Sequence, residues 1–330
     1  MNRIFRFALC ALLLGMSAAA AADKVSFGLN WFPDTEHGGY YQAVVDGTYA
    51  KYGLDVTIVP GGPQANNGIL LVSGKLDFYM GSNMIEAFSA AQENVPIIVV
   101  AAIYQKDPQI LMSHPGVGLD HFTDLPKATA FIAKTGLVTY YAWLRSAYGF
   151  KEENVKPYTF NSGPFIADKT SIQQGYINYE PYEVEKRGGF KPNVFLLADL
   201  GFSTYSTTIV ARRETVQKHP DLVQRFVDAT AIGWYHFLYS DNSKALALIK
   251  QQNAELTDDQ IAYGFASLKD NGIIDSGETL KHGIGAMTDD RVKDFFDKMV
   301  KAGVVPADLD YKKSYTLDFV NKGVGVDLRK

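Results

Sequence analysis

Short apolar runs alternate along this chain with amphipathic segments of helical length. Val25 to Leu29 reads as a strand, Gly39 to Tyr52 as a helix and Leu54 to Val59 as a second strand. A helix around Asn66 to Ser73, a strand at Asp77 to Met80, a helix from Asn83 to Glu93 and a buried strand from Ile97 to Ile103 complete one unit. Strand and helix in repeated alternation indicate an α/β fold with a mainly parallel sheet.

Beyond Tyr104-Gln105-Lys106-Asp107-Pro108 the pattern restarts. Strands are expected at Thr129 to Ile132, Pro157 to Phe160, Tyr176 to Tyr179 and Val194 to Leu197, with helices near Leu137 to Tyr148 and at Phe165 to Gln174. After Leu200-Gly201, Thr207 to Ala211 reads as a strand and everything later as helix. Pro220 suits a first helical turn, and Thr257-Asp258-Asp259-Gln260 is a capping box. A long insertion between two βα units, followed by a tail too poor in strands for its own sheet, requires the chain to cross between lobes twice. The expected division is 23–104 with 201–330 in lobe 1 and 105–200 in lobe 2, the tail packing on lobe 1. Two crossovers make a hinge, and a cleft between hinged lobes is a favoured place for a small-molecule site.

Composition narrows the function. The 330 residues are 47% hydrophobic and 21% charged, with a formal net charge of −4, and no basic stripe is present to meet nucleic-acid phosphates. Arg3 and Arg6 precede the apolar run Phe7 to Leu14, and small residues follow up to Ala20-Ala21-Ala22. This is a secretory signal with cleavage expected before Asp23, so the mature protein is expected to be exported, soluble and monomeric. Cys10, the one cysteine, lies inside that signal. A mature chain without thiols has no disulfide, no cysteine-ligated metal and no cysteine nucleophile.

Candidate chemistry concentrates in the first βα loop, Asn30-Trp31-Phe32-Pro33-Asp34-Thr35-Glu36-His37-Gly38-Gly39-Tyr40-Tyr41. Aromatic faces stack on planar heterocycles, which favours Trp31 as a ligand contact, with Asn30 beside it. Tyr40 and Tyr41 cannot both face one way on a helix, so at least one belongs to the core. His37 reads equally as a ligand hydrogen-bonding group or as a histidine that fixes the loop. Ser82 and Asn83 stand where a strand opens into a helix, positions suited to capping or to a ligand. Gln105 stands at the first crossover. In Tyr176-Ile177-Asn178-Tyr179-Glu180-Pro181-Tyr182, Glu180 is a carboxylate able to read an exocyclic amine or to cap a helix dipole, flanked by Tyr179 and Tyr182. No hydrolase, zinc-protease or nucleotide-binding motif stands in a strand-to-helix context, and the histidines lack metal-ligand spacing. No catalytic residue, metal or cofactor is expected.

These residues also carry a resemblance. Asn30-Trp31-x-Pro33-x-x-x-His37, Gly47-x-Tyr49-x-x-x-Gly53-Leu54-Asp55-Val56 and Ser73-Gly74-Lys75-x-Asp77 resemble the periplasmic solute-binding family that joins thiamine-pyrimidine binding proteins, the fungal thiamine-pyrimidine synthase, and taurine and alkanesulfonate binding proteins. The resemblance spans essentially the whole chain after the signal. It implies a two-lobed, type II periplasmic binding protein that closes on its ligand and delivers it to the permease and ATPase subunits of an importer. By the same resemblance Trp31, His37 and Tyr40 belong to the first-lobe wall of the cleft, and Tyr179, Glu180 and Tyr182 to the other.

Two departures refine it. The fungal synthase has a lysine and a histidine after the Ser-Gly-Lys-x-Asp stretch and a cysteine-rich run after a Leu-Gly pair. Here Phe78 to Glu86 holds neither, and Phe202-Ser203-Thr204-Tyr205-Ser206 follows Leu200-Gly201 without a cysteine. A binding protein, not an enzyme, is expected. The candidate cleft stretches contain no arginine to clamp a sulfonate. The expected ligand is therefore a planar, uncharged or weakly cationic heterocycle, a thiamine-precursor pyrimidine first and riboflavin second.

Overall fold

The computed structural model describes residues 21–62 and 64–329. Residues 1–20 of the expected signal, with Arg3, Arg6 and Cys10, lie outside the described residues. Strands β1 (Asp23–Gly28), β2 (Leu54–Val59), β3 (Phe78–Asn83) and β4 (Ile97–Tyr104) come first, and the next five build a second sheet. These are β5 (Gln109–Ser113), β6 (Thr129–Ile132), β7 (Val155–Pro157), β8 (Ser171–Tyr176) and β9 (Asn193–Leu196). The chain then returns as β10 (Ser206–Arg212) to the first sheet, whose order is β2-β1-β3-β10-β4; the second runs β7-β6-β8-β5-β9. The result is a two-lobed α/β fold whose sheets are joined through residues 105–108 and 197–205.

Both sheets are mixed, a correction to the mainly parallel expectation. β1 runs parallel to β2 and β3, whereas β10 is antiparallel to β3 and β4. β6 is parallel to β7 and β8, and β5 is antiparallel to β8 and β9. The cause is the connectivity: each crossover hands the chain to the other lobe, and the arriving strand inserts against the grain of its neighbours.

Local departures from the expected elements have similarly concrete causes. The helix expected over Gly39 to Tyr52 breaks into Gly38–Val45 and Thr48–Lys51 because Gly47 takes φ +75°, which only glycine adopts without cost. Phe165 to Gln174 is a short helix, Gly163–Ala167, followed by β8. The polar Gln173 and Gln174 mimic a helical polar face. Inside the lobe Gln173 donates to Ser162, and Gln174 Oε1 accepts from the Ala133 amide and the Tyr140 hydroxyl. β5 escapes the pattern altogether, being a short, wholly buried strand directly after Pro108.

The tail after β10 is helical and packs against lobe 1. Its longest helix, Pro220–Tyr239, crosses the helix Gly38–Val45 at close range, with Phe226 stacked between Phe78 at 4.2 Å and Tyr49 at 5.5 Å. Tyr40 wedges between Phe27 at 4.5 Å and Trp234 at 5.7 Å. No helix among the described residues is long and apolar enough to cross a membrane.

Candidate functional site

A cleft of about 690 Å³ opens between the two sheets, within the size range of sites that enclose drug-sized ligands. Its first-lobe wall comes from the loop after β1 and the β3-to-helix junction, and its second-lobe wall from segments flanking β7 and β8. Asn30, Trp31, Ser82, Asn83, Tyr179 and Glu180 all line it.

Aromatic rings from both lobes meet across the opening. Trp31 approaches Phe160 at 5.4 Å between centroids with a 41° tilt, and Tyr158 lies 5.5 Å from Phe160. Phe160 is 60% exposed and holds φ +60°, a left-handed conformation costly for a bulky side chain. That backbone turn, just past β7, swings the ring toward Trp31 instead of into the lobe-2 core.

The lining is acidic. Asp34, Glu36, Glu86, Asp107, Glu180, Glu183 and Glu255 contribute carboxyl groups, and no Lys, Arg or His is among the described lining residues. Glu183 is neutralised by Arg187. Glu86 accepts from the Ser82 amide at 2.6 Å. Asp107 accepts from the Gln109 amide at 2.9 Å and from Asn83 at 3.1 Å, while Asn83 Oδ1 caps the helix Met84–Gln92 through the Ile85 amide. Asn83 thus acts as a cap that also lines the cleft. Burial raises the Asp107 carboxyl despite those donors.

Glu180 opens the helix Glu180–Gly188 and turns back on β8, accepting from the Tyr176 amide at 2.7 Å and the Tyr158 hydroxyl at 3.2 Å. Gly175 permits this turn, since a Cβ there would stand 2.8 Å from Glu180 Cβ. Burial pushes the Glu180 carboxyl up to about 7, with the Tyr176 amide opposing the shift. The folded protein therefore holds a proton between the ordinary carboxylate range and pH 7 that the unfolded chain releases, so this group's contribution to stability falls as pH rises through that window. Glu180→Gln is expected to gain about 1 kcal/mol over the parent at pH 8, with the gain vanishing at pH 5; thermal unfolding at both pH values measures it.

Four candidate residues stand elsewhere, and the expectation for each is corrected. His37 is fully buried; its Nδ1 accepts from the Asp34 amide at 3.2 Å, closing a capping box over the turn Thr35–His37. Asp34 Oδ1 also lies 3.3 Å from Nδ1, but a ring nitrogen already accepting an N–H has no proton for an ion pair. Tyr40 belongs to the lobe-1 core because its side of the helix faces Phe27 and Trp234. Gln105 is buried behind the crossover, donating to the Ala286 carbonyl at 3.0 Å. Tyr182 faces outward against Tyr263, ring centroids 5.6 Å apart, and its hydroxyl pairs with Thr257 at 3.5 Å.

Sequence reasoning missed Glu36, Asp107, Tyr158, Phe160 and Asn178 as lining residues. Glu36 sits beside His37 on a turn whose direction the sequence leaves open. A one-residue rotation exchanges the two, and the structure turns the glutamate toward the cleft and the histidine into the protein.

Comparison with known proteins follows the same outline. Residues 34–243 match the family model described as NMT1/THI5 like. The chain belongs to the NMT1/THI5-like family. Within 25% identity over 322 residues, covering 93% of the chain and 89% of the relative, it is similar to the riboflavin-binding protein RibY of Chloroflexus aurantiacus. It is 24% identical over 237 residues to the formylaminopyrimidine-binding protein of Halalkalibacterium halodurans, covering 69% and 70% of the two chains. A third relative, 25% identical over 230 residues (63% of this chain, 65% of the other), is the 4-amino-5-hydroxymethyl-2-methylpyrimidine phosphate synthase THI11 of Saccharomyces cerevisiae. In fold, the chain matches the periplasmic aliphatic sulphonate binding protein SsuA of Escherichia coli with a TM-score of 0.65 at 14% identity, over 88% and 91% of the two chains. The chain thus has the periplasmic-binding-protein fold.

Proposed function

We propose that this protein is the exported, ligand-capturing component of an importer for a planar nitrogen heterocycle that carries no phosphate or sulfonate. The observation that carries this reading is the pairing of an aromatic wall, Trp31, Tyr158 and Phe160, with a lining that has carboxyl groups and no cation among its described residues. A phosphate or sulfonate would find no guanidinium or ammonium among the described lining residues to pair with, and its charge would hold the buried carboxyl groups in their protonated form instead of gaining from them. Carboxylates accept hydrogen bonds well from ring N–H, exocyclic amine or hydroxyl groups.

The first ligand reading is an unphosphorylated aminopyrimidine of the thiamine-precursor type, whose amine suits the acceptor-rich lining. Riboflavin is a second reading, favoured by the cleft volume of about 690 Å³, and by the 93% of this chain that the alignment with the Chloroflexus relative covers. Capture rests on closure of the two lobes about residues 105–108 and 197–205, followed by handover to permease and ATPase subunits.

Thermal-shift screening against formylaminopyrimidine, 4-amino-5-hydroxymethyl-2-methylpyrimidine, riboflavin, taurine and an alkanesulfonate tests the reading. A stabilising shift is expected from at least one heterocycle and from neither sulfonate; a shift from taurine alone would remove the heterocycle reading. The rival reading is an exported enzyme of pyrimidine chemistry, motivated by the yeast relative. The lining offers it no lysine among its described residues. Incubation with pyridoxal phosphate, borohydride reduction and mass spectrometry are expected to find no adduct on a cleft residue, and such an adduct would overturn the binding-only reading.

A further inference from the structure

The least explained group in the cleft is Glu36. It is 6% exposed and lines the cleft, yet among the described residues its carboxyl has no hydrogen-bond partner; only its main chain pairs, donating to Asp34 at 2.6 Å and accepting from the Tyr104 hydroxyl at 3.1 Å. Its carboxyl oxygens open onto the cleft, so an occupant that displaces water there has to supply donors in its place. Two more acceptors among the lining residues, the amide oxygens of Asn30 and Asn178, are themselves buried and have no partner among the described residues. Three acceptors without donors from the described residues, on walls from both lobes, describe a place that requires N–H groups from outside.

We propose that Glu36 selects the charge state of the ligand, its two carboxyl oxygens receiving a protonated ring nitrogen and the adjacent exocyclic amine of a basic aminoheterocycle. This rests on the aminopyrimidine reading above and names its chemical class: a weak base of amidine type, held as a cation. Two parallel N–H bonds to one carboxylate form the geometry that makes guanidinium–carboxylate pairs strong, here with the ligand as the cation. Asn30 and Asn178 supply acceptors for the donors that remain.

Proton bookkeeping gives the inference its signature. Burial, then the charges of Asp34, Asp107 and Glu180, raise the Glu36 carboxyl well above the ordinary carboxylate range; the His37 ring next to it and the Tyr40, Tyr104 and Tyr176 hydroxyls, all three raised chiefly by burial, are further titratable groups near it. Where Glu36 carries its proton and the free base is neutral, that proton moves from the carboxyl oxygen to the ring nitrogen, an O–H bond breaks as an N–H bond forms, and nothing is exchanged with solvent. At higher pH Glu36 is already ionised and the complex takes up one proton, so affinity falls with pH. At lower pH the free base is already a cation, Glu36 releases its own proton on binding, and affinity falls again.

Isothermal titration of the full protein with 4-amino-5-hydroxymethyl-2-methylpyrimidine, from pH 5 to 9 in pairs of buffers of different ionisation enthalpy, reads these protons directly. The expected result is an affinity maximum, with proton uptake approaching one on the alkaline side and affinity falling there about tenfold per pH unit. Glu36→Gln is expected to weaken binding at the maximum by tenfold or more and to remove the alkaline limb, whereas Glu180→Gln keeps that limb. Wild-type buffer pairs keep the test decisive should the Glu36 variant fail to fold. Binding of the pyrimidine without proton exchange at any pH, an alkaline limb that survives in Glu36→Gln, or binding of riboflavin but not the pyrimidine would overturn the inference while leaving the heterocycle reading in place. Binding of no heterocycle would overturn both.

Discussion

Gly39→Ala is expected to destabilise the protein by about 3 kcal/mol, the upper part of the usual range for overpacking a core. A Cβ at Gly39 would stand 2.2 Å from the Trp234 indole, which is fully buried between Tyr40, Tyr104 and Phe237 and has no room to retreat. The partner helix is equally constrained, because a Cβ at Gly233 would stand 2.5 Å from the Gly39 carbonyl oxygen and 2.6 Å from Ala43 Cβ. The two glycines let the helices Gly38–Val45 and Pro220–Tyr239 approach backbone to backbone, and this contact fastens the C-terminal tail to lobe 1. Urea denaturation followed by circular dichroism measures the effect as a lower midpoint at unchanged slope. A shift worth less than 1 kcal/mol would mean that the helices slide apart at little cost and that the tail is not anchored there.

The second large effect concerns the aromatic wall. Trp31→Ala alone is expected to weaken heterocycle binding by about 1–2 kcal/mol, combining lost area with stacking, and the double variant Trp31→Ala/Phe160→Ala by about 3 kcal/mol, a loss on the order of a hundredfold. The rings touch at 5.4 Å, so the two losses are expected not to add. Phe160 also permits a cleaner control. Its φ of +60° suits glycine better than any other residue, so Phe160→Gly removes the ring while relieving the backbone. Weaker binding with raised thermal stability in that variant would show a ring kept for the ligand at the expense of the fold. Unchanged affinity in both Trp31 and Phe160 variants would move these rings from the site to the surface.

Much of the architecture was legible because it depends on patterns longer than one element. Lobe 1 followed from strand–helix alternation up to Tyr104, and the second crossover from the isolated strand around Thr207 with nothing but helix behind it. What misled were positions where polar residues are buried. Gln173 and Gln174 in β8 imitate a helical face, since sequence does not reveal that Ser162, Ala133 and Tyr140 wait to satisfy them. β5 is too short and too uniformly apolar for periodicity to register, and its antiparallel insertion is what makes the second sheet mixed.

The cleft was half legible for a related reason. Trp31, Asn30, Ser82, Asn83, Tyr179 and Glu180 stand directly after strand ends or at helix starts, where topology alone points side chains toward the opening. His37 and Tyr40 fall within the turn and helix that follow, where a rotation of about 100° per residue decides between cleft and core. The capping box of Asp34 and His37 sets that rotation and turns Glu36 toward the cleft. Asp107 and Phe160 depend on backbone geometry at a crossover and at a left-handed residue, for which the sequence carries no periodic signal.

The central claim is that an aromatic cleft with acidic groups and no cation among its described lining residues captures a planar heterocycle and rejects its anionic derivatives. A matched pair tests it most directly: isothermal titration of the purified protein with 4-amino-5-hydroxymethyl-2-methylpyrimidine and with its phosphate ester, riboflavin and riboflavin phosphate serving as a second pair. The account predicts micromolar or tighter binding of the unphosphorylated member of at least one pair, and a loss of at least a hundredfold on phosphorylation. Equal or tighter binding of the phosphorylated member of the pair that binds would contradict it.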